Sequence, residues 1–302
     1  MLDVRRLRLL RELSLRGTIA AVAETFAFTP SAVSQQLSTL EREAGLPLLE
    51  RTGRRVMLTP AGQRLVRHAE AVLERLEQAT AELAEARQGL AGPLRIGTFP
   101  TAARAIVPAA LVVLARLHPG LEPMVSEIDP AGVADALRAG ELDVALIHDY
   151  DFVPSLAEPG LATEPLCSES MYLASYGAPR PLPAGASEIR QWEDTPWITA
   201  TPGTLCHTMT IRACQAAGFR PRVRHQVDEF ATVLALVAAG QGVALVPQLG
   251  LVDPPPEVSL TRLPIRRRTM IAFRSGAARH PAVAAITKAL RTATPEETDS
   301  AR

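Results

Sequence analysis

The stretch Thr29-Pro-Ser-Ala-Val-Ser-Gln-Gln-Leu-Ser-Thr-Leu-Glu41 is the one whose reading decides the fold. At helical period, Val33, Leu37 and Leu40 fall on one face, and Ser31, Ser34, Gln35 and Ser38 fall on the other. A solvated helix face ordinarily carries Glu and Lys. This one carries hydroxyls and amides, side chains short enough to reach base edges and phosphates in a groove. Thr29 supplies a capping oxygen, and Pro30 suits the first helical position, where no amide hydrogen is needed. The helix start, with free N–H groups and the positive end of its dipole, is then the end presented to phosphate. An ordinary polar face is the alternative, and the flanks favour the groove.

Upstream, residues 3–15 read as a helix with Val4, Leu7, Leu10 and Leu13 on its apolar side, ended by Gly17. Thr18 caps a second helix, Ile19 to Thr25, and Phe26-Ala-Phe28 turns into the polar-faced helix. Two helices joined by a short turn, the second polar outward, make a helix-turn-helix. Downstream, Gly45 breaks the helix. Leu48 to Thr59 reads as a strand, a tight turn at Gly53 and a returning strand at Val56 to Leu58. Arg51, Arg54 and Arg55 surround that turn, as in a wing that touches the DNA backbone or minor groove.

Thr59-Pro-Ala-Gly62 opens a helix running to about Gly89. Leu65, Ala69, Val72, Leu76, Ala79, Leu83, Ala86 and Leu90 recur along it at alternating spacings of four and three. At 1.5 Å per residue the helix is roughly 45 Å long. Such a seam predicts pairing with the same helix of a second subunit; packing against its own domain is the alternative.

Ala91-Gly-Pro93 reads as a linker. Beyond it strands alternate with helices: strands at Leu94–Gly97, Leu121–Ser126 and Asp143–His148, and a helix at Val133–Ala139. Further strands are expected near 161–166 and 170–175, and again at Leu260–Leu263 and Thr269–Arg274. This alternation predicts a mainly parallel sheet.

The chain has 302 residues, enough for two or more domains, and a formal net charge of zero. Arginines crowd the first fifth, and Lys288 is the only lysine. No stretch is long and apolar enough to span a bilayer, the N-terminus lacks a signal peptide's apolar core, and a cytoplasmic protein is expected. Cys167, Cys206 and Cys214 imply no disulfide framework. No nucleophile triad, metal-spaced His/Cys cluster or phosphate loop is present, so neither an enzyme nor a cofactor is expected. A solute-binding or small-molecule enzyme domain with an accessory DNA module, and a constitutive architectural DNA binder that ignores ligands, are the competing readings.

By these residues the chain resembles the LysR-type transcriptional regulators over nearly its whole length. The matching pieces include Gly17 to Glu24, Ser31 to Glu41, Leu48 to Arg55 and Leu58 to Gly62. In the second half, Leu94 to Thr98, Gly140 to Leu146 and Val237 to Pro247 match. The resemblance implies a winged helix-turn-helix over 1–59, a dimerising linker helix over 60–91, and an effector domain over 92–302. That last domain would be two-lobed α/β, like periplasmic binding proteins, with lobe I at about 92–163 and 266–302 and lobe II at about 164–265. It also implies homodimers or homotetramers that bend promoter DNA, with RNA polymerase as a partner. Pro30 stands where many relatives carry glutamine, and Leu49 where an aromatic is usual. Base readout is then expected from Ser31, Ser34, Gln35 and Ser38 beside Thr29 and Pro30, and backbone or minor-groove contacts from Arg51, Thr52, Arg54 and Arg55.

Ligands of open α/β sheets sit beyond the carboxyl ends of strands. The expected effector contacts are therefore Thr98, Phe99, Pro100, Thr101, Glu127, His148, Thr201, Thr204, Val246 and Pro247. Thr101 and Thr204 each precede a helix, which favours an anionic small molecule, although simple helix capping is the alternative for both. Phe99 alternatively belongs to the core, and His148 alternatively is satisfied locally. Cys206 and Cys214 lie where peroxide-sensing relatives carry a redox pair, but their spacing does not reproduce that pattern, and they read as packing residues. Gln35→Ala is expected to change sequence preference. Arg54→Ala is expected to weaken binding to every duplex and lower the salt slope by about one. Equal losses for Gln35→Ala on specific and random DNA, measured by anisotropy across a salt series, would defeat that assignment.

Overall fold

A computed structural model describes residues 1–52, 55–85, 90–153, 158–178, 188–295 and 299–300. The chain opens with helices α1 (Val4–Arg16), α2 (Ile19–Thr25) and α3 (Pro30–Ala44). Each start is capped by the side chain preceding it. Asp3 accepts from Arg5 N–H and Arg6 N–H, Thr18 from Ala21 N–H, and Thr29 from Ala32 N–H. α1 and α3 end on Gly17 and Gly45 with φ of 72° and 71°, the left-handed conformation that glycine adopts without a Cβ clash. Leu10, Val22, Val33, Leu37 and Leu40 fill the core between the three helices.

The short strands β1 (Leu49–Thr52) and β2 (Arg55–Leu58) pair antiparallel, with Leu49 opposite Leu58. Glu41 at the end of α3 fixes their approach, its Oε1 accepting from both Leu48 N–H and Leu49 N–H. The long helix α4 (Pro60–Glu85) follows. It packs on its own domain through Val66 and Ala69, whereas Val72, Leu76 and Leu83 of the heptad seam stay exposed. The face used inside the chain is thus largely distinct from the seam; Ala86 of the seam lies outside the described residues.

The second half contains β3 (Ala91–Thr98), α5 (Pro100–Ala105), α6 (Val107–Leu117), β4 (Gly120–Glu127), α7 (Pro130–Ala139) and β5 (Val144–Tyr150). Then come β6 (Leu161–Tyr176), β7 (Pro196–Thr199), α8 (Leu205–Ala216), β8 (Arg222–Gln226), α9 (Phe230–Ala238) and β9 (Ala244–Pro247). The chain finishes with β10 (Val258–Arg274), α10 (Pro281–Ala293) and β11 (Asp299–Ser300). The main sheet runs β11–β6–β10–β5–β3–β4, with β9 added to β6; β7 and β8 form a separate parallel pair. One core lies between β3, β5 and helices α5, α6 and α10, and a second gathers Trp197, Met209 and Leu245.

Three expectations need correction. Ala91-Gly-Pro93 is the start of β3, paired in register with Gly120 to Glu122 of β4. Pro93 is tolerated because β5 pairs with β3 only at Ile96 and Gly97, so its missing N–H faces no strand. The sheet is mixed: β3 is parallel to β4 and β5, but β10 is antiparallel to both β5 and β6. The paired short strands near 161–175 and 260–274 are single long strands, β6 and β10. Register shifts interrupt the ladder between Arg262 and Arg266, around Pro264, and between Thr269 and Met270, next to Pro165.

The two halves dock through charge and one close approach. Arg16 of α1 meets Asp135 of α7 at 2.7 Å. Arg274 at the end of β10 donates through Nε to Glu77 of α4 at 2.7 Å, and through Nη1 to the Leu137 and Leu142 carbonyls. Gly276 lies directly against α4. A Cβ there would run into the Glu74 carbonyl oxygen and sit 2.5 Å from Glu77 Cβ. Gly276→Ala therefore forces the effector domain off the linker helix, with an expected loss of about 1–3 kcal/mol in chemical denaturation. An unchanged midpoint would show that the two surfaces do not meet in solution.

Candidate nucleic-acid interface and ligand cleft

On α3 the apolar residues are buried, while Ser31, Gln35, Gln36 and Ser38 are exposed and Ser34 is half-buried. Thr29 and Pro30 are also exposed, and Thr29 Oγ1 lies 3.0 Å from Ser31 Oγ. Gln36 is turned toward α1, its Oε1 accepting from Arg6 Nε at 2.9 Å. Thr39 bonds the Gln35 carbonyl and accepts from Arg42, closing the C-terminal side of the face. The remaining polar face is a short-side-chain surface beginning at a capped helix start. Arg51, Thr52 and Arg55 sit in β1 and β2, beside α3 in the chain; Arg54 lies outside the described residues.

The expected effector residues separate into two groups. Thr98, Phe99, Thr101 and His148 converge on one buried cluster. Its centre, which the sequence reading missed, is Arg267 of β10. Arg267 stands directly opposite Tyr150 of β5 and Glu169 of β6, so the three side chains share one face of the sheet. Its guanidinium reaches Glu169 Oε1 through Nε and Nη2, both at 2.7 Å, and Thr101 Oγ1 through Nη2 at 2.8 Å. The Phe99 ring lies 5.1 Å from the guanidinium carbon and packs edge-on to His148. Glu169 Oε2 accepts from Leu249 N–H at 2.6 Å. Arg267 and Glu169 are 2% and 1% exposed.

The other expected contacts are engaged elsewhere. Thr204 caps α8 through His207 N–H, as in the capping reading, and Thr201 is bonded to Asp228. Val246 is core, packed among Val233, Leu234 and Val237, and Pro247 is buried in β9 opposite Met171. Val246 is therefore a packing residue on the face of β9 that α9 covers. Pro100 is exposed at the start of α5, and Glu127 is exposed at the end of β4, opposite Thr98. One signal for the missed pair was available: Arg267 sits in phase with Leu263, Ile265, Thr269 and Ile271, the buried positions of β10.

Comparison with known proteins matches residues 4–63 to the model described as "Bacterial regulatory helix-turn-helix protein, lysR family". Residues 87–295 match the "LysR substrate binding domain". The chain belongs to the LysR family of transcriptional regulators. It is 31% identical to a probable hydrogen peroxide-inducible genes activator of Mycobacterium avium, over 86% of this chain and 84% of that one. It is 28% identical to the probable HTH-type transcriptional regulator LrrA of Synechococcus elongatus, over 98% of both. Among solved structures it resembles OxyR of Corynebacterium glutamicum at a TM-score of 0.57 and 26% identity, covering 97% of this chain and 92% of that one. Full-length OxyR of Pseudomonas aeruginosa gives a TM-score of 0.63 at 23% identity over 100% and 99%, a likeness of fold. LysR-family proteins are regulators with a DNA-binding and an effector-binding domain, not enzymes. Among the described residues no group of His, Cys, Asp or Glu could hold a metal ion, and no helix is long and apolar enough to cross a membrane.

In this LysR-family chain the electrostatics of the cluster around Arg267 follow from burial. Burial, then the Arg267 charge, holds His148 well below the ordinary histidine range, so its ring is neutral. Burial opposes the Arg267 charge, but Glu169 and then Tyr150 outweigh it and raise its pKa. Burial pushes the Cys206 thiol up, against partial relief from Arg267 and a hydrogen bond with Tyr150. It raises Cys214 to about 12. Both thiols are thus protonated. Eight residues along α8 also separate them by about 12 Å, beyond the roughly 7 Å that a disulfide spans.

His148 generates a pH dependence. In the unfolded chain it takes up a proton near pH 6.5, about its ordinary value. The folded chain resists that proton, so stability is full above about pH 6.5 and declines below it, by at most about 1.4 kcal/mol per pH unit for one proton. His280, also lowered by burial, adds the same sign. Thermal midpoints are expected to fall from neutral to mildly acidic pH, and His148→Gln to remove part of that slope. A slope that the substitution leaves intact would assign it elsewhere.

Proposed function

We propose that the chain is an effector-responsive regulator that binds promoter DNA as a homo-oligomer. Thr29, Pro30, Ser31, Ser34, Gln35 and Ser38 face base edges, and Arg51, Thr52, Arg54 and Arg55 contact phosphate or enter the minor groove. The observation that carries this is the exposed, uncharged polar face of α3 beginning at a side-chain-capped helix start. The exposed Val72, Leu76 and Leu83 seam of α4 supplies the second copy, so two recognition helices meet two half-sites. A relative in fold, CbnR, has been solved in complex with its target DNA. The effector occupies the cleft around Thr98, Thr101, His148 and Arg267, and regulation passes to RNA polymerase in the cytoplasm. The domains divide near 59 and 91, with the linker helix between them.

Ligand binding acts by favouring one of two arrangements of the lobes, which changes the spacing of the recognition helices and the bend of the DNA. The combined change Leu76→Glu with Leu83→Glu tests the dimer. By sedimentation the variant is expected to fall to monomer. Affinity for a two-half-site duplex chosen by sequencing the DNA that the protein pulls down is expected to drop about a hundredfold, with single half-site binding retained. Unchanged mass and affinity would refute the linker-helix dimer.

A further inference from the structure

The cleft's own charges specify what it takes. The buried cation Arg267 already holds a full counter-charge in Glu169, with contacts to Thr101 and the Phe99 ring completing its shell. Arg104 of α5 is likewise engaged, donating to the Leu249 carbonyl at 2.8 Å with Glu229 nearby. Arg266 and Arg268 flank Arg267 in the strand and so point to the opposite face, where Arg268 pairs with Asp149 and Asp151. The cluster is therefore electrically neutral. A carboxylate entering it has two options. It takes Arg267 and leaves Glu169 buried on one N–H donor from Leu249, or it sits without a counter-ion. Either cost is one that an uncharged ligand of the same shape does not meet.

Beside the ion pair, two buried polar atoms have no partner among the described residues: His148 Nδ1 and Thr269 Oγ1. His148 and Thr269 stand directly opposite each other on β5 and β10, two positions along from the Tyr150–Arg267 pair and on the same face. Buried polar groups are satisfied in the great majority of cases, so these two atoms mark a hydrogen-bonding position. A neutral imidazole nitrogen and a hydroxyl both suit a partner that donates and accepts.

We propose that the cleft ligand is a small uncharged molecule that donates and accepts hydrogen bonds at His148 and Thr269, and that Glu169 sets this preference by occupying Arg267. This replaces the anionic effector expected from the helix starts at Thr101 and Thr204, whose hydroxyls are engaged with Arg267 and with the α8 cap. The proposal rests on the reading of the cleft as the effector site.

The test uses the whole 302-residue chain, with its six histidines labelled with ¹⁵N and His148 assigned through His148→Gln. Acetamide is titrated against acetate, and benzamide against benzoate. The amide of at least one pair is expected to shift the His148 signals at a concentration about tenfold lower than its carboxylate. Thr269→Val is expected to abolish the shift. Glu169→Gln, which frees Arg267, is expected to invert the order. The double change Glu169→Gln with Arg267→Gln, neutral again, is expected to restore it. A carboxylate that binds the unaltered protein as well as its amide overturns the charge inference and leaves the effector site standing. No response to any of the four probes, the result expected if His148 and Thr269 are met only by water, removes both.

Discussion

The pairing of β6 with β10 is the interaction on which the effector domain depends. These two strands run antiparallel from Leu161 opposite Arg274 to Tyr176 opposite Val258, through both lobes. Near the middle of that ladder the domain buries one charge pair, Arg267 with Glu169. Replacing such a pair with apolar residues is often neutral or stabilising, whereas removing one partner costs about 3–5 kcal/mol. Its presence is therefore not explained by stability alone. What it does is fix geometry: Glu169 holds Leu249 N–H, Arg267 holds Thr101 at the start of α5, and the backbones of three strands are tied at one level.

The same strand leads out of the cleft. From Arg267 to Arg274 is seven residues, about 23 Å of β-strand. At the far end Arg274 grips Glu77 of α4, and Gly276 rests on the α4 backbone. A second tie runs from Arg16 of α1 to Asp135 of α7. α7 packs on β5, which carries His148 and Tyr150 at its other end. In the proposed reading, a shift around Arg267 thus has two rigid paths to the helices that carry α3. Coupling through them requires that ligand favour one of two discrete arrangements, since packed elements of this density do not deform continuously.

How far the fold was legible depended on the range of the interactions. The helix-turn-helix was readable because its signals are local: Thr29 caps at a distance of three residues, and Gly17 and Gly45 end helices where their own conformation requires it. The long strands were not. Glu169 and the Arg266–Arg268 run interrupt the apolar pattern, so each strand read as two short ones. The interruption is the buried ion pair, and its two residues are separated by 98 positions. Nothing local marks one as the partner of the other. Thr101 shows the same limit. Its expected place before a helix suggested a cap, but α5 starts at Pro100, Phe99 occupies the cap position without a side-chain bond, and the Thr101 hydroxyl serves Arg267 instead.

The linker helix shows why two apolar stripes on one helix need not compete. Val66, Ala69, Leu73 and Ala81 are buried within the chain, while Val72, Leu76 and Leu83 are exposed. Exposing several large aliphatic side chains in line along one helix is costly in water. A helix that served only its own chain would carry polar residues there. The inner stripe joins the two halves of one subunit, and the outer stripe is the one proposed to take a second copy. With both in place, a displacement of Arg274 or Gly276 on the inner face moves the helix that also sets the spacing of the two α3 helices. In the proposed dimer, the seam is the part that carries a ligand-sized change in one cleft to two half-sites of DNA.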